Sequence, residues 1–243
     1  MAIKRTNRCL YKSDFQSFIE ADPYSVLGRI HDAFHGQALT TTDEAWLGEI
    51  KLLQKVLLPW KEEEAEIIFE YDIPRLGKRI DVVLLLRGLI FCLEFKVGQK
   101  DALQSDVEQV MDYALDLKNF HRYSHDRIIV PILIPTKHPS SSSSFTPSVY
   151  SDSIYNPLIT GANGLQNLIQ EVLKHADANT PGTIRDWIIS PYTPTPTIIE
   201  AARSLYENHS VEDITRHRRK GGSRLHHCAG YNSSCTVFKR AYQ

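Results

Sequence analysis

The sequence predicts an α/β fold with one mixed central sheet flanked by helices, and three observations support this prediction. An amphipathic helix with an apolar stripe runs from Trp46 to Leu57 and ends at Pro59. Three strand-like segments follow it, at 66–72, 79–86 and 89–96. A second amphipathic helix, over about 102–120, then leads into the apolar segment 127–134. The predicted core therefore has the order helix, three strands, helix, strand.

The remainder of the chain divides by composition. We expect a helical or irregular lead-in over 1–42, the core over 43–138, a serine-rich linker over 139–156, a helical appendage over 157–215, and a basic, disordered or truncated tail over 216–243. Thr42 or Asp43 is the predicted cap of the first core helix, and Asp101 with Gln104 forms a predicted capping pair for the second.

Charge and composition limit the classes of function. The formal net charge is -1 over 243 residues, so any contact with nucleic acid must come from local basic patches. Four scattered cysteines and the lack of a secretory signal favour a reducing cytoplasm. No apolar segment reaches the length of about 20 residues that a membrane span requires, so no membrane contact is expected.

The second and third strands carry the residues with the clearest chemistry. If Arg87 and Gly88 form a two-residue turn, Asp81 faces Glu94 on the same side of the hairpin. Facing like charges destabilise a sheet, so a cation is expected between them, and Mg²⁺ or Mn²⁺ suits a pair of carboxylates. Lys96 would lie beside that cation, where it could activate water. The alternative is that Glu94 and Lys96 form an ordinary solvated pair.

This pattern resembles the PD-(D/E)XK nuclease superfamily. Asp81 lies on the second strand and Glu94-x-Lys96 on the third, while Gln109 and Tyr113 are similar to the Q-x-x-x-Y motif of the RecB-like branch. The resemblance implies a restriction-endonuclease-like core and a nuclease that hydrolyses phosphodiester bonds in DNA, with RNA not excluded.

The resemblance also implies roles for individual residues. Asp81 and Glu94 would bind the metal, and Glu49 matches the position of an additional carboxylate in many members. Lys96 would activate water, while Gln109 and Tyr113 would support the site and the substrate.

Other charged residues have two interpretations. Arg75, Lys78 and Arg79 cluster at the mouth of the hairpin, where they could bind phosphates or form a solvated turn. Glu70 and Asp72 on the first strand are further carboxylates near the site, but solvation at a strand edge explains them as well.

A longer likeness covers FEYDIPRLGKRIDVVLLLRGLIFCLEFKVGQ, QVMDYALDLKNFH and IIVPILIPT. These runs resemble the N-terminal region of bacterial Schlafen-like DNA/RNA helicase proteins, which implies DNA processing or defence beside a helicase partner. The chain has no G-x-x-x-x-G-K-[ST] phosphate loop, so no ATPase activity is expected. A truncated or frame-shifted gene, or a standalone descendant lacking the motor, would explain this. The alternatives are an idle module that binds nucleic acid or a helicase, and a non-functional fragment.

Overall fold

The computed structural model describes residues 8–34, 40–139, 153–176, 184 and 186–200. The helices are α1 (Phe15–Glu20), α2 (Pro23–Ala33), α3 (Thr40–Val56), α4 (Gln104–Phe120) and α5 (Leu165–His175). The strands are β1 (Tyr11–Asp14), β2 (Glu66–Ile73), β3 (Lys78–Leu86), β4 (Leu89–Lys96), β5 (Ile129–Pro135) and β6 (Leu158–Ile159). Together they form a mixed α/β fold.

The six strands form one mixed sheet whose spatial order follows the chain from β1 to β6. The strands from β1 to β4 pair antiparallel, whereas β5 is parallel to β4 and β6 is parallel to β5. The crossover from β4 to β5 passes through α4, as a parallel connection requires. This crossover brings one face of α4 over the end of β4.

Apolar side chains fill both faces of the sheet. On one face, Trp46 and Ile50 of α3 pack into a cluster that also includes residues of α1, α2 and α5. On the other face, Tyr113 and Leu117 of α4 pack against Trp187 and the remaining strand residues. Because both faces are covered, the central strands are almost entirely apolar, and any charge on them lies in a dehydrated environment.

The predicted element order is observed, with differences at the boundaries. Strand β1 was not predicted; it lies in the segment expected to be a lead-in and pairs with β2. Its four residues have no alternating pattern of their own, and pairing with β2 stabilises it. The predicted caps were wrong: α3 already includes Thr40, and Leu103 precedes α4 without a side-chain cap.

The segment expected to be a helical appendage contributes both β6 and α5 to the same compact unit as the core. Of the described residues, those up to Thr193 belong to this unit and those from Pro194 to a second one. Residues 196–200 are helical, while residues 201–215 of the expected appendage, residues 140–152 of the expected linker and the tail lie outside the described residues. Within the described part of the chain, no helix has the length and apolar composition needed to cross a membrane.

The turn between β3 and β4 has the predicted two-residue length. Arg87 has φ 49° and Gly88 has φ 77°. Both central residues therefore have a left-handed backbone conformation, as in the two-residue turns that favour tight hairpins. Arg87 tolerates this conformation while its guanidinium binds both carboxylate oxygens of Glu63, at 2.9 and 2.6 Å. This turn sets the register that carries Asp81 towards Glu94.

We expect Gly88→Ala to lower the free energy of unfolding by about 1–2 kcal/mol, because a Cβ atom is disfavoured in the left-handed conformation. Gly28→Ala is the matched control, since Gly28 is exposed within α2 with no atom near the added Cβ. It should raise stability by about 0.5–1 kcal/mol. Urea unfolding of both variants measures the two effects, and equal effects would contradict the assigned turn.

Candidate active site

The candidate site forms where the regular alternation of two strands breaks. Phe69 and Val82 face the α3 side of the sheet, whereas Tyr71 and Ile80 face the α4 side, although residues two apart normally share a face. The register is the same on both sides of the break, since Phe69 pairs with Val82 and Tyr71 with Ile80. Backbone rotation therefore causes the change of face, without an inserted residue.

Glu70 lies at this break, opposite Asp81. Its φ of 55° is left-handed, which is unusual for a residue within a strand and requires support from the surroundings. That support includes Trp46 of α3, whose indole N–H donates to Oε1 of Glu70 at 2.9 Å, and Arg79, whose guanidinium lies 3.7 Å from Oε2. The side chain of Glu70 is only 15% exposed, so the expected solvation at a strand edge was wrong for this residue.

The hairpin register matches the prediction, but the backbone pairing stops beside the site. Pairing runs from Leu86–Leu89 to Val82–Leu93 and ends there. Asp81 is not paired with Glu94 by the backbone; instead, its Oδ2 accepts from the amide N–H of Phe95 at 2.8 Å. The carboxylate thus replaces the neighbouring strand as the acceptor for that amide, and the two strands are free to separate beside the site.

Glu94 is the centre of a hydrogen-bonded network between β4 and α4. Its Oε1 accepts from Lys96 Nζ at 3.0 Å and from Gln109 Nε2 at 2.7 Å. Gln109 Nε2 also donates to the hydroxyl of Tyr113 at 2.6 Å, and Gln109 Oε1 lies 3.3 Å from Lys96 Nζ. The structure therefore brings together four of the residues that the sequence selected, through the period of two on the strand and the i,i+4 spacing on the helix.

Lys96 has a second acidic neighbour that the sequence analysis did not select. Its Nζ lies 3.4 Å from Oδ1 of Asp106, in the first turn of α4. Burial lowers the pKa of Lys96, but Glu94 and Asp106 act in the opposite direction and leave it above its usual value. The ammonium group is therefore held in its charged form at the edge of the site.

The carboxylates of the site have too little positive charge around them. Burial, followed by repulsion from Glu70 and Glu94, raises the pKa of Glu49 to about 8. Burial and the charges of Glu94 and Glu49 raise the pKa of Asp81 well above its usual range. Burial raises the pKa of Glu94 too, although Lys96 offsets part of that effect. Each of these groups would gain from an additional positive charge.

Carboxylate oxygens are the donors that a hard divalent cation would require at this site. Glu94 is 4% exposed, and its Oε2 has no hydrogen-bond partner in the described part of the chain. Glu49 is 8% exposed and forms no hydrogen bond or ion pair with the described residues. Within those same residues, no three acidic, histidine or cysteine side chains converge as a complete metal cage. Mg²⁺ does not require one, since it commonly uses one or two carboxylates and retains several waters.

The three basic residues at the mouth of the hairpin have different environments. Arg75 pairs with Asp116 at 3.2 Å and lies 3.6 Å from the ring centroid of Phe120. Arg79 is engaged with Glu70, as described above. Lys78 is exposed and has no ion-pair partner in the described ranges. Two of the three predicted phosphate-binding residues thus have intramolecular partners.

Three residues of the site were missed, and each had a signal in the sequence. Trp46 and Asp106 each lie three residues before a selected residue, Glu49 and Gln109, and therefore share its helix face. Glu70 would have been found by extending the strand register across the loop between β2 and β3. What the sequence could not show is the left-handed backbone at Glu70, which turns its side chain towards α3.

The chain was compared with known proteins, and no protein-family model, curated protein or solved structure matches it. The likeness to PD-(D/E)XK nucleases and to Schlafen-like helicase proteins stays a prediction.

We expect the metal-free protein to lose stability as pH rises from about 4.5 to about 8, because folded Glu49 keeps a proton that the unfolded chain has released. One such group contributes at most about 1.4 kcal/mol per pH unit. Glu49→Gln should reduce this change of the free energy of unfolding with pH. Urea unfolding at pH 6 and pH 8 in EDTA measures the free energy of unfolding of both proteins.

Glu44→Gln is the control, because Glu44 is an exposed glutamate on the same helix. An equal slope in the wild type and in Glu49→Gln would show that the carboxyl group of Glu49 ionises freely in the folded protein.

Proposed function

We propose that this chain is a divalent-metal-dependent nuclease that hydrolyses phosphodiester bonds in DNA. The observation that carries the proposal is the free oxygen of the buried Glu94, which lies beside Asp81 and is followed two residues later by Lys96. A fold gains no stability from collecting several buried carboxylates with too little positive charge to compensate them, so the arrangement is better explained by chemistry than by folding.

Asp81 and Glu94 would hold the cation, Mg²⁺ or Mn²⁺, and Glu49 is the further candidate ligand, although the three side chains do not converge as a complete cage in the described residues. The cation supplies Lewis acidity towards a phosphate oxygen and a water molecule. Oxygen ligands of high charge density match this choice, and the described residues place no thiol or imidazole ligand at these positions.

The chain's own residues would orient the reaction. Lys96, in its ammonium form, would orient the attacking water and offset the negative charge that develops on the phosphoryl oxygens. Gln109 would hold Lys96 and Glu94 in register through its amide, and Tyr113 would fix that amide from the other side. The side chains nearest the reaction are thus supported by one helix.

The proposed biological role rests on the resemblance to PD-(D/E)XK nucleases and Schlafen-like helicase proteins. The order α3, β2, β3, β4, α4, β5 is consistent with a restriction-endonuclease-like core. Exposed Lys78 is available for a phosphate of DNA, or of RNA. The likeness to Schlafen-like helicase proteins favours a role in bacterial DNA processing or defence, with a helicase as partner.

We expect the purified chain to cleave single- or double-stranded DNA with Mg²⁺ or Mn²⁺ and not with EDTA. Asp81→Asn, Glu94→Gln and Lys96→Ala should each reduce the rate at least about a hundredfold, since each removes a group placed at the reacting atoms. Gel assays on labelled DNA, with RNA in parallel, measure cleavage.

Glu108→Gln is the matched control, because Glu108 is exposed on α4 beside Gln109. This variant should cleave DNA at the wild-type rate. Cleavage that survives all three site substitutions would reject the assigned site. Binding of DNA without cleavage or metal affinity would favour the idle module instead.

A further inference from the structure

The ammonium group of Lys96 forms an ion pair with Glu94, the carboxylate that would also bind the proposed cation. Its Nζ lies 3.0 Å from Oε1 of Glu94. A divalent cation bound to Glu94 would repel this ammonium group, because two positive charges would then share one carboxylate. Lys96 must therefore have a second anionic partner if it is to remain beside the cation.

Asp106 has the properties of that second partner. Its Oδ1 lies 3.4 Å from the Nζ atom of Lys96, and its side chain is 12% exposed. Its Oδ2 has no hydrogen-bond partner in the described ranges, so one oxygen is free to accept the ammonium group. Asp106 lies in the first turn of α4, where the helix dipole favours a negative charge.

We propose that Asp106 is a positioning residue that takes up the Lys96 ammonium group when a divalent cation binds Glu94. This inference rests on the proposed function and names a residue beyond the predicted site. With Asp106 present, Lys96 moves a short distance and stays beside the reacting groups. Without it, Lys96 remains on Glu94 and competes with the cation.

Titration of the full chain with Mn²⁺, followed through the electron paramagnetic resonance signal of free Mn²⁺, tests the inference. Asp106→Asn should weaken Mn²⁺ binding about tenfold when Lys96 is present, and by less than about threefold in a Lys96→Met background. The dependence on Lys96 is the decisive readout, because a purely structural role of Asp106 would act equally in both backgrounds.

Two further variants complete the design. Asp106→Glu keeps the negative charge and should bind Mn²⁺ within about threefold of the wild type, which also covers the case in which the asparagine variant folds poorly. Glu108→Gln, an exposed charge change on the same helix, should leave Mn²⁺ binding unchanged.

The outcomes separate this inference from the proposed function. An equal loss of affinity in both Lys96 backgrounds, or no loss in either, would overturn the role of Asp106 while wild-type Mn²⁺ binding upheld the metal site. A wild-type chain that binds no Mn²⁺ would overturn the proposed function and this inference with it.

Discussion

Burying several carboxylates between two apolar layers is the constraint on which this structure depends. Asp81 and Glu94 lie within largely apolar strands, and Glu49 of α3 lies near Glu94. Burial raises the pKa of each of these carboxyl groups, and neighbouring carboxylates add to the effect. The sheet accommodates these groups by ending the β3–β4 ladder at Val82 and by rotating the backbone at Glu70. Irregular backbone is thus concentrated where the charges are.

The compensating cations are distributed unevenly around these acids. Lys96 binds Glu94, and Arg79 lies close to Glu70. Among the described residues, Asp81 and Glu49 have no ion-pair partner. Positive charge therefore lies beside Glu94 and Glu70, and no described cation pairs with Asp81 or Glu49. A divalent cation would correct that imbalance, whereas protonation of the acids would correct it only at lower pH.

Much of the fold and part of the site followed from local sequence patterns. Strand alternation, a two-residue turn and helix spacing were enough to predict β2 to β4 and α4, whereas Gln109 and Tyr113 were selected through the family resemblance. Features that depend on tertiary pairing were not predictable in this way, since β1 forms through its pairing with β2. The direction of Glu70 also depends on a backbone angle that no pattern of residue types encodes.

The solvated alternative for the Glu94-x-Lys96 pair can be judged from burial. A solvated pair on an outward strand face would expose both charged groups, but the side chains of Glu94 and Lys96 are 5% and 18% exposed and are enclosed by Gln109 and Asp106 of α4. A buried pair of this kind is held in place at an energetic cost, because removing charges from water is unfavourable even when they meet. The solvated interpretation is therefore wrong: α4 encloses both charges and leaves Oε2 of Glu94 buried without a hydrogen-bond partner among the described residues.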